Sequence, residues 1–308
     1  MPVKALKLIL LIVMVLSVLV LVPAAYITAD AEIIEIPLDA KAKNLPEPRK
    51  SGYLSKWEYE DPSISVKIEQ GRMFDSSYMV ARVKIANASQ IRSAIAGTYR
   101  NDEEEPVATL AKAYKAVIAI NGDYFKGHRN IGFVCKQGKV YCQQCNRTED
   151  KSGLRYDILL IDDKGNLHIL PQATNADIDA FEGNIVNGFT FGPGLVINGE
   201  KQTGFKNMNN GANVNAQRMC IAQVGELEYL LICCTGPDNP DSKGLTLEEF
   251  AELVYSFEGV QNAYNLDGGG SATMVFKQDG KYQKINQFGL GRTRDAGDIV
   301  YFCTAYVP

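Results

Sequence analysis

Two stretches of the chain repeat one order of helical, apolar and polar positions. In residues 107–125 a short helical pattern leads into the apolar run "AVIAI" and then into the polar turn Asn121-Gly122-Asp123. In residues 245–271 a clearer helical pattern leads into "NAYNL", which Asp267 and three glycines follow. Short apolar runs predict buried strands, so each unit places an Asn and an Asp at the C-terminal end of a strand. Such strand ends favour functional residues on a rigid support.

The helix of the second unit is indicated by its apolar face and by its first turn. From Phe250 to Phe257, apolar residues fall at i, i+3, i+4 and i+7, which predicts one buried stripe. Thr246 and Glu249 have the spacing of a capping box, in which each side chain bonds the other residue's backbone N–H. Both features predict a helix that begins just after Thr246.

Other segments predict strands and hairpins. Residues 78–85, "YMVARVKI", alternate in part between apolar and polar positions, which is typical of a strand. Residues 157–170 read as a hairpin around Asp163-Lys164-Gly165-Asn166, and residues 135–145 as a hairpin that turns at Gly138. We therefore expect an α+β fold, with mixed twisted β-sheets and a few packing helices.

The N-terminal part of the chain differs from the rest. Lys4 and Lys7 precede an uncharged apolar run over residues 8–22, nearly the length of about 20 residues that spans a bilayer. Residues 1–25 therefore predict a signal anchor, with a cleaved signal peptide as the alternative because small residues follow. Either would export the remainder. Residues 26–62 are polar and dotted with prolines, which predicts a stalk or linker before one domain over residues 63–308.

Composition adds two limits to this picture. The chain has 308 residues, 46% of them hydrophobic, which is enough for a sizeable core. Its formal net charge of −4 gives no electrostatic basis for binding nucleic acid.

The seven cysteines cannot all pair within the chain, because their number is odd. Cys135 approaches Cys142 or Cys145 across the predicted hairpin, and a disulfide there suits an exported protein. A zinc site is the rival interpretation, but a structural site needs four ligands and the chain has only two histidines, His128 and His168. Buried free thiols are the third interpretation, and they suit the apolar "YLLICC" run best.

The glycine run after Asp267 allows either a sharp turn or a cradle of backbone N–H groups for an anion. A phosphate-binding P-loop is excluded, because no Lys-Ser or Lys-Thr follows the glycines, and the GxGxxG spacing also fails. A nucleophile elbow requires GxSxG, whereas Ser271 is followed by Ala272 and Thr273.

Asp123 and Asp267 are the strongest pair of candidate carboxylates. Hydrolysis of a glycosidic bond commonly uses two carboxyl groups, one on each side of the bond. The structural alternative is that each Asp only caps its own turn. Arg218 and Arg294 lie close to predicted buried strands, where a guanidinium requires an anionic partner. Asp298 is a candidate structural partner for Arg294.

Aromatic residues offer one further surface. Phe189 and Phe191 lie just before a Gly192-Pro193-Gly194 turn. They form either a core strand or an aromatic wall for the apolar face of a sugar ring.

Six segments lie in a fixed order along the chain, namely "AINGDYF" (119–125), "GFVCKQGKVY" (132–141), "NGFTFGPGLVINGE" (187–200), "QRMCIAQVG" (217–225), "NLDGGGSATMVF" (265–276) and "RDAGDIVYF" (294–302). In this order they resemble the phosphodiester glycosidase family. Each is weak alone, and the ordered set, which extends over essentially all of residues 63–308, is the specific feature. One departure lies at Gln217–Ala222, where family members often have Pro-Arg-Thr-Ala-x-Gly.

The resemblance implies hydrolysis of a sugar-1-phosphodiester, of the N-acetylglucosamine-1-phosphate type, at the C1–O bond. The leaving group would be a phosphate monoester, which departs as an anion and requires positive charge and N–H donors. No cofactor or metal is implied. The candidate catalytic residues are Asp123, Asp267 and Asn121, and the candidate substrate- and phosphate-binding residues are Arg218, Arg294, Gly268, Gly269, Gly270, Ser271 and Asn265.

Two other functions stay open at this point. The first is a non-catalytic module that binds glycan phosphate or assists envelope assembly through the same pocket. The second is a metal-dependent phosphodiesterase that cleaves the P–O bond, since hard cations bind Asp and Asn oxygens. The expected partners are a sugar-phosphate or glycan substrate and, through residues 8–22, the membrane, with the domain on the extracellular face or secreted.

Overall fold

Strands are the main regular structure of the described residues, in which the helices are few and short. The computed structural model describes residues 32–99, 103–123, 130–148, 153–205, 211–237, 239–286 and 293–308. Within these residues the α-helices are α1 (Val107–Ala113), α2 (Asn175–Asp179) and α3 (Leu247–Tyr255). The strands are β1 (Glu32–Ile33), β2 (Tyr53–Ser55), β3 (Glu58–Asp61), β4 (Ile64–Met73), β5 (Ser76–Ile85), β6 (Ile91–Ile95), β7 (Ile118–Asn121), β8 (Gly132–Lys136), β9 (Lys139–Gln144), β10 (Ile158–Asp162), β11 (Leu167–Leu170), β12 (Ile185–Thr190), β13 (Gly194–Ile197), β14 (Glu200–Lys201), β15 (Arg218–Gly225), β16 (Glu228–Cys234), β17 (Asn262–Leu266), β18 (Met274–Gln278), β19 (Lys281–Lys284), β20 (Asp298–Phe302) and β21 (Tyr306–Val307).

Most of the strands belong to three sheets. The large sheet has nine strands in the order β14-β13-β17-β15-β16-β5-β4-β3-β2. The β7 sheet has the order β19-β18-β7-β20-β6, and the β8 sheet has the order β11-β10-β12-β8-β9. Residues Ile33–Tyr306 form one compact unit.

The sheets are antiparallel, which corrects the prediction of mixed sheets. The two helix–strand units place their strands in different sheets, β7 in one and β17 in another. β7 pairs with β18 and β20, and β17 pairs with β13 and β15, all in antiparallel register. In α/β folds, a strand that follows a helix usually pairs in parallel with the strand before that helix. In this protein β7 and β17 each follow a helix, but both pair with antiparallel neighbours.

Each helix–strand unit buries its helix against one face of a sheet. α3 packs Phe250 and Val254 against Cys220 and Leu230 of the large sheet. The capping box is confirmed, because the Thr246 backbone N–H donates to Glu249 Oε2 at 2.9 Å and the Glu249 backbone N–H donates to Thr246 Oγ1 at 3.2 Å.

The first unit repeats this packing on the β7 sheet. α1 contributes Val107 and Leu110 to a core cluster that includes Ile299 and Tyr301. The side chain of Ile120 faces the opposite way, into the central core shared by the three sheets. The helix and the strand that the sequence predicts in this unit are therefore confirmed.

The predicted hairpins are also present. β10 and β11 pair around residues 163–166, and β8 and β9 pair around Gly138, whose φ of +75° suits a residue without a side chain. The strand predicted at residues 78–85 forms the C-terminal part of β5.

The segment interpreted as a stalk is folded from residue 33 onward. Ile36, Leu45 and Tyr59 are buried, and β2 and β3 form one edge of the large sheet. The polar residues of this segment face solvent while these three apolar side chains face inward. This corrects the prediction of a stalk for residues 33–62, whereas residues 26–31 of that segment lie outside the described residues.

The predicted membrane segment, residues 1–25, lies outside the described residues. Among the residues that are described, no helix is both long enough and apolar enough to cross a bilayer.

All seven cysteines are buried and free. Cys135 and Cys145 pack in one apolar cluster, whereas Cys142 packs with Val134 in another. Burial raises the pKa of the Cys135 thiol to about 11 and that of Cys145 to about 12. The prediction of buried free thiols is therefore confirmed for the "YLLICC" run and extends to the hairpin.

Candidate active site

Polar side chains from the ends of three sheets meet at one place. β7 ends at Asn121 and its antiparallel neighbour β20 begins at Asp298, so both residues lie at the same edge of the β7 sheet. β17 of the large sheet ends directly before Asp267. β8 of the β8 sheet ends at Lys136. Residues that are distant in the sequence therefore face one another here.

Asn121 joins the two turns that the sequence singles out. Its Nδ2 donates to the Asp267 carbonyl at 2.8 Å and to the Gly122 carbonyl at 3.2 Å. Its Oδ1 accepts the Thr273 N–H at 3.0 Å. The Asp267 N–H also donates to the Gly122 carbonyl at 3.3 Å. The two turns are thus adjacent, and the Asn121 amide is engaged with main chain, so its catalytic role stays a prediction.

Asp123 is the inner carboxylate of the pair, with a side chain that solvent does not reach. Its Oδ2 accepts the Thr190 N–H at 2.8 Å and lies 3.9 Å from Lys136 Nζ. Thr190 is the last residue of β12, so the β8 sheet holds the Asp123 carboxylate from two of its strands.

Lys136 and Asp298 form a buried ion pair beneath Asp123. Nζ of Lys136 lies 2.5 Å from Asp298 Oδ2 and 3.4 Å from the centre of the Phe189 ring. Burial raises the pKa of Asp298 to about 7, with Lys136 opposing the shift and the charges of Asp123 and Asp267 adding to it.

Phe189, interpreted from the sequence as core or as a sugar wall, is fully buried and faces the Lys136 ammonium. The core interpretation is therefore the correct one for Phe189.

Asp267 is the outer carboxylate, with 13% of its side chain exposed. Burial raises its pKa, while a hydrogen bond from Ser271 and the charge of Arg294 act in the opposite direction and Asp123 adds to the rise. Arg294 Nη2 lies 3.6 Å from Asp267 Oδ1 and donates to the Gly268 carbonyl at 3.2 Å. Asp267 therefore combines partial solvent access with a nearby cation.

The glycine run forms a 3-10 turn, Gly269–Ser271, after Asp267. The Gly269 N–H donates to the Gln217 carbonyl at 2.9 Å, and the Ser271 N–H donates to the Gly268 carbonyl at 3.1 Å. The Gly268 N–H acts to lower the pKa of Asp267. Because the N–H groups of Gly269 and Ser271 bond within the protein, a cradle of several N–H groups stays a prediction with little geometric support.

The described partners of the Arg218 guanidinium are main-chain carbonyls. Its Nε donates to the Leu245 carbonyl at 3.0 Å, and its Nη2 donates to the carbonyls of Gly211 at 2.8 Å and Val214 at 2.7 Å. Main-chain carbonyls thus satisfy this buried guanidinium, for which the sequence predicts an anionic partner. Phosphate binding by Arg218 stays a prediction that these contacts do not favour.

The Asn265 side chain also bonds main chain. Its Nδ2 donates to the Gly192 carbonyl at 2.7 Å, on the face of the large sheet opposite Tyr264 and Leu266. Its contacts therefore stabilise the Gly192 turn, and a role in substrate binding stays a prediction.

Comparison with protein families gives a match that includes the whole of this region. A family model described as phosphodiester glycosidase matches residues 114–303. The chain belongs to the phosphodiester glycosidase family. Comparison with curated proteins gives no match.

Comparison with solved structures supports the fold. The catalytic domain of zebrafish N-acetylglucosamine-1-phosphodiester alpha-N-acetylglucosaminidase, auto-inhibited by its pro-peptide, is similar with a TM-score of 0.60 and 20% identity over 84% of this chain and 86% of that chain. At this identity the likeness concerns the fold alone. A hypothetical protein from Synechocystis is also found, with a TM-score of 0.48 and 16% identity over 80% of this chain and 62% of that chain, and no conclusion is drawn from it.

Within this phosphodiester glycosidase domain, Lys136 is a candidate site residue that the sequence did not identify. For Asp298, the sequence suggested a different partner. Asp298 pairs with Lys136, not with Arg294 as the sequence suggests. A signal for Lys136 was present, because it ends the otherwise apolar strand "GFVCK". A lysine that is buried in this way requires a carboxylate partner.

A metal centre was an alternative interpretation of the acidic residues and of the cysteines. Among the described residues, no group of three His, Cys, Asp or Glu side chains is arranged to hold a metal ion. His128, one of the two histidines, lies outside the described residues.

Proposed function

We propose that this phosphodiester glycosidase hydrolyses a sugar-1-phosphodiester, of the N-acetylglucosamine-1-phosphate type, at the bond between sugar C1 and oxygen. The observation that supports this function is the adjacency of Asp123 and Asp267, one carboxylate shielded and the other reached by solvent. The similar zebrafish enzyme is, by its name, a glycosidase of N-acetylglucosamine-1-phosphodiesters.

The two carboxylates suit different parts of such a reaction. Asp267 is partly exposed to solvent and burial raises its pKa, so its ionised carboxylate is a stronger proton acceptor for an attacking water than an ordinary Asp. Asp123 cannot contact a substrate directly in this conformation, and its negative charge favours a cationic sugar through space. Under this assignment, Asp267 transfers the proton and Asp123 contributes only its charge.

The leaving group requires less help than a sugar alcohol would. A phosphate monoester has a second pKa of about 6, so it departs as an anion without a proton. Arg294 is half exposed beside Asp267, and its guanidinium is placed to bind that anion. The Gly270 N–H is a second donor on the same turn.

The setting of the reaction is also a proposal. The apolar run at residues 8–22 would anchor the protein in the membrane or direct its secretion. The substrate would then be an envelope or extracellular glycan on the outer side of the membrane.

The position of bond cleavage tests this function directly. Purified full-length protein is incubated with methyl N-acetylglucosamine-1-phosphodiester in water enriched in ¹⁸O, and both products are analysed by mass spectrometry. The proposal expects ¹⁸O in the released sugar and none in methyl phosphate. Label in the phosphate would show P–O cleavage and overturn the proposal. Saturable binding of the diester without product would favour the non-catalytic binding module instead.

Replacing Arg294 with Gln is expected to weaken substrate binding and to move the pH profile. Loss of one exposed phosphate contact predicts a KM about threefold to tenfold higher. Arg294 lowers the pKa of Asp267, so its removal raises that pKa further. If ionised Asp267 is the base, the rate is lost as pH falls through this pKa, and the acidic limb moves to higher pH.

The control for this variant is Arg82→Gln. Arg82 is similarly exposed but lies on β5, where it pairs with Glu69. Steady-state kinetics across pH on both variants provide the measurement. An acidic limb that stays in place in Arg294→Gln would contradict the pairing of Arg294 with a catalytic Asp267.

A further inference from the structure

Lys136 is a buried cation beneath the two turns of the candidate site. Solvent reaches 3% of its side chain and none of that of Asp298 or Asp123. We propose that Lys136 is a positioning residue, whose ammonium holds Asp298 and Asp123 together and thereby fixes the turn that carries Asp123. This inference rests on the proposed function, because it assigns a role within the same site.

The charge balance explains why a lysine suits this position. Removing an ammonium from water costs several kcal/mol, and an apolar residue of similar size would avoid that cost. Lys136 has two carboxylates within 4 Å, at 2.5 Å and 3.9 Å, and an aromatic face at 3.4 Å. One positive charge therefore serves two buried negative charges, so its removal would leave both without this compensation.

Asp298 transmits this pairing to the Asp123 turn by direct contact. The Gly122 N–H donates to the Asp298 carbonyl at 3.0 Å. Gly122 packs so closely on the Asp298 side chain that a Cβ at this glycine would lie 2.5 Å from Asp298 Cγ. The Gly122 carbonyl in turn accepts the Asp267 N–H at 3.3 Å. A shift of the Asp298 side chain would therefore displace both turns.

The groups that face Asp298 give this pairing a titration signature. They are Lys136 on β8, Asp123 after β7 and Asp267 after β17. Burial raises the pKa of Asp298 to about 7, and Lys136 limits that rise. A group with a raised pKa in the folded state contributes stability that is present at low pH and is lost as pH rises through that value. Without Lys136 this loss must continue to higher pH.

The test compares the full-length protein with Lys136→Met, Asp298→Asn and the double variant. Lys139→Met is the matched control, because Lys139 is an exposed lysine on the same hairpin. For each protein the unfolding temperature is measured from pH 4 to pH 9, and kcat and KM are measured with methyl N-acetylglucosamine-1-phosphodiester.

We expect the Asp298-linked fall in unfolding temperature to end near pH 7 in the wild type, to extend to higher pH in Lys136→Met, and to vanish in Asp298→Asn. We expect kcat of Lys136→Met to fall about a hundredfold with little change in KM, as a misplacement of about 1 Å would produce. Lys139→Met should match the wild type in both measurements.

The double variant separates positioning from simple charge compensation. It removes both members of the ion pair, so the unfolding temperature should recover, but the Lys136 ammonium is still missing beside Asp123 and kcat should stay low. Full recovery of kcat would overturn the proposal, and so would a Lys136→Met profile that ends at the wild-type pH. If the wild type does not hydrolyse the diester, the proposed function fails, while the unfolding profiles still support or overturn the role of Lys136.

Discussion

Replacing Asp267 with Asn is expected to lower the kcat of diester hydrolysis about a thousandfold, within the range that general acid–base catalysis contributes. Asp267 is partly exposed, whereas the side chains of Asp123 and Asp298 are fully shielded from solvent. An amide of nearly the same shape fills the same space but carries no negative charge and cannot act as a base. Release of N-acetylglucosamine by the purified full-length protein is the measurement.

The pH profile sharpens this prediction. Burial raises the pKa of Asp267, so the wild-type rate is expected to fall as pH drops through that raised value. The residual rate of Asp267→Asn should lack this limb, because the group that titrates is gone. A rate within threefold of the wild type, or an unchanged acidic limb, would remove Asp267 from the mechanism.

Asp279→Asn is the matched control for Asp267→Asn. Asp279 is exposed in the turn between β18 and β19 and has a φ of +50°, a conformation that Asn tolerates well. The same change of carboxylate to amide should leave both kcat and the acidic limb as in the wild type. A matching loss in this variant would show that the effect of Asp267→Asn is not local.

The two turns themselves were within reach of the sequence, because strands and their ends depend on local patterns. Asn121 follows one short apolar run and Asn265 lies within another, and an Asp comes shortly after each of them. Periodicity of this kind identifies strands and their ends. It also identified the capping box of α3, which depends on a spacing of three residues.

The contacts between residues of different sheets could not be predicted, because local patterns do not specify which strand ends meet. Lys136 meets Asp298 only because β8 and β20, in different sheets, bring their ends together, and no local pattern encodes that distance. For Arg218, burial could be predicted but the partners could not. The sequence indicates that the guanidinium is buried, but it does not reveal that main-chain carbonyls of Leu245, Gly211 and Val214 surround it. A buried charge thus predicts that partners exist without predicting which ones.

The same difficulty applies to the glycines of the site. Three consecutive glycines allow several backbone conformations, so the sequence could not decide between an anion cradle and a turn. The observed 3-10 turn uses the N–H groups of Gly269 and Ser271 internally. Gly122, which received no role from the sequence, also has no room for a side chain, since a Cβ there would lie 2.5 Å from Asp298 Cγ.

Replacing Gly122 with Ala is expected to reduce turnover about a hundredfold and to lower the free energy of unfolding by about 1–3 kcal/mol, the usual cost of overpacking a buried site. The new Cβ would lie 2.5 Å from Cγ of Asp298. Asp298 cannot easily move away, because it is fully buried and paired with Lys136. The turn itself must shift, and with it the Asp123 carboxylate.

Gly225→Ala is the control that separates steric conflict from the loss of a glycine. Gly225 ends β15, and a Cβ there would meet its nearest neighbour, Glu228 Oε2, at an ordinary distance of 3.6 Å. Neither glycine has a φ in the left-handed region, so Ala is acceptable to the backbone at both positions. Chemical denaturation and kinetics on the two variants provide the comparison. Wild-type stability and turnover in Gly122→Ala would show that the close packing of Asp298 on this turn does not hold Asp123 in place.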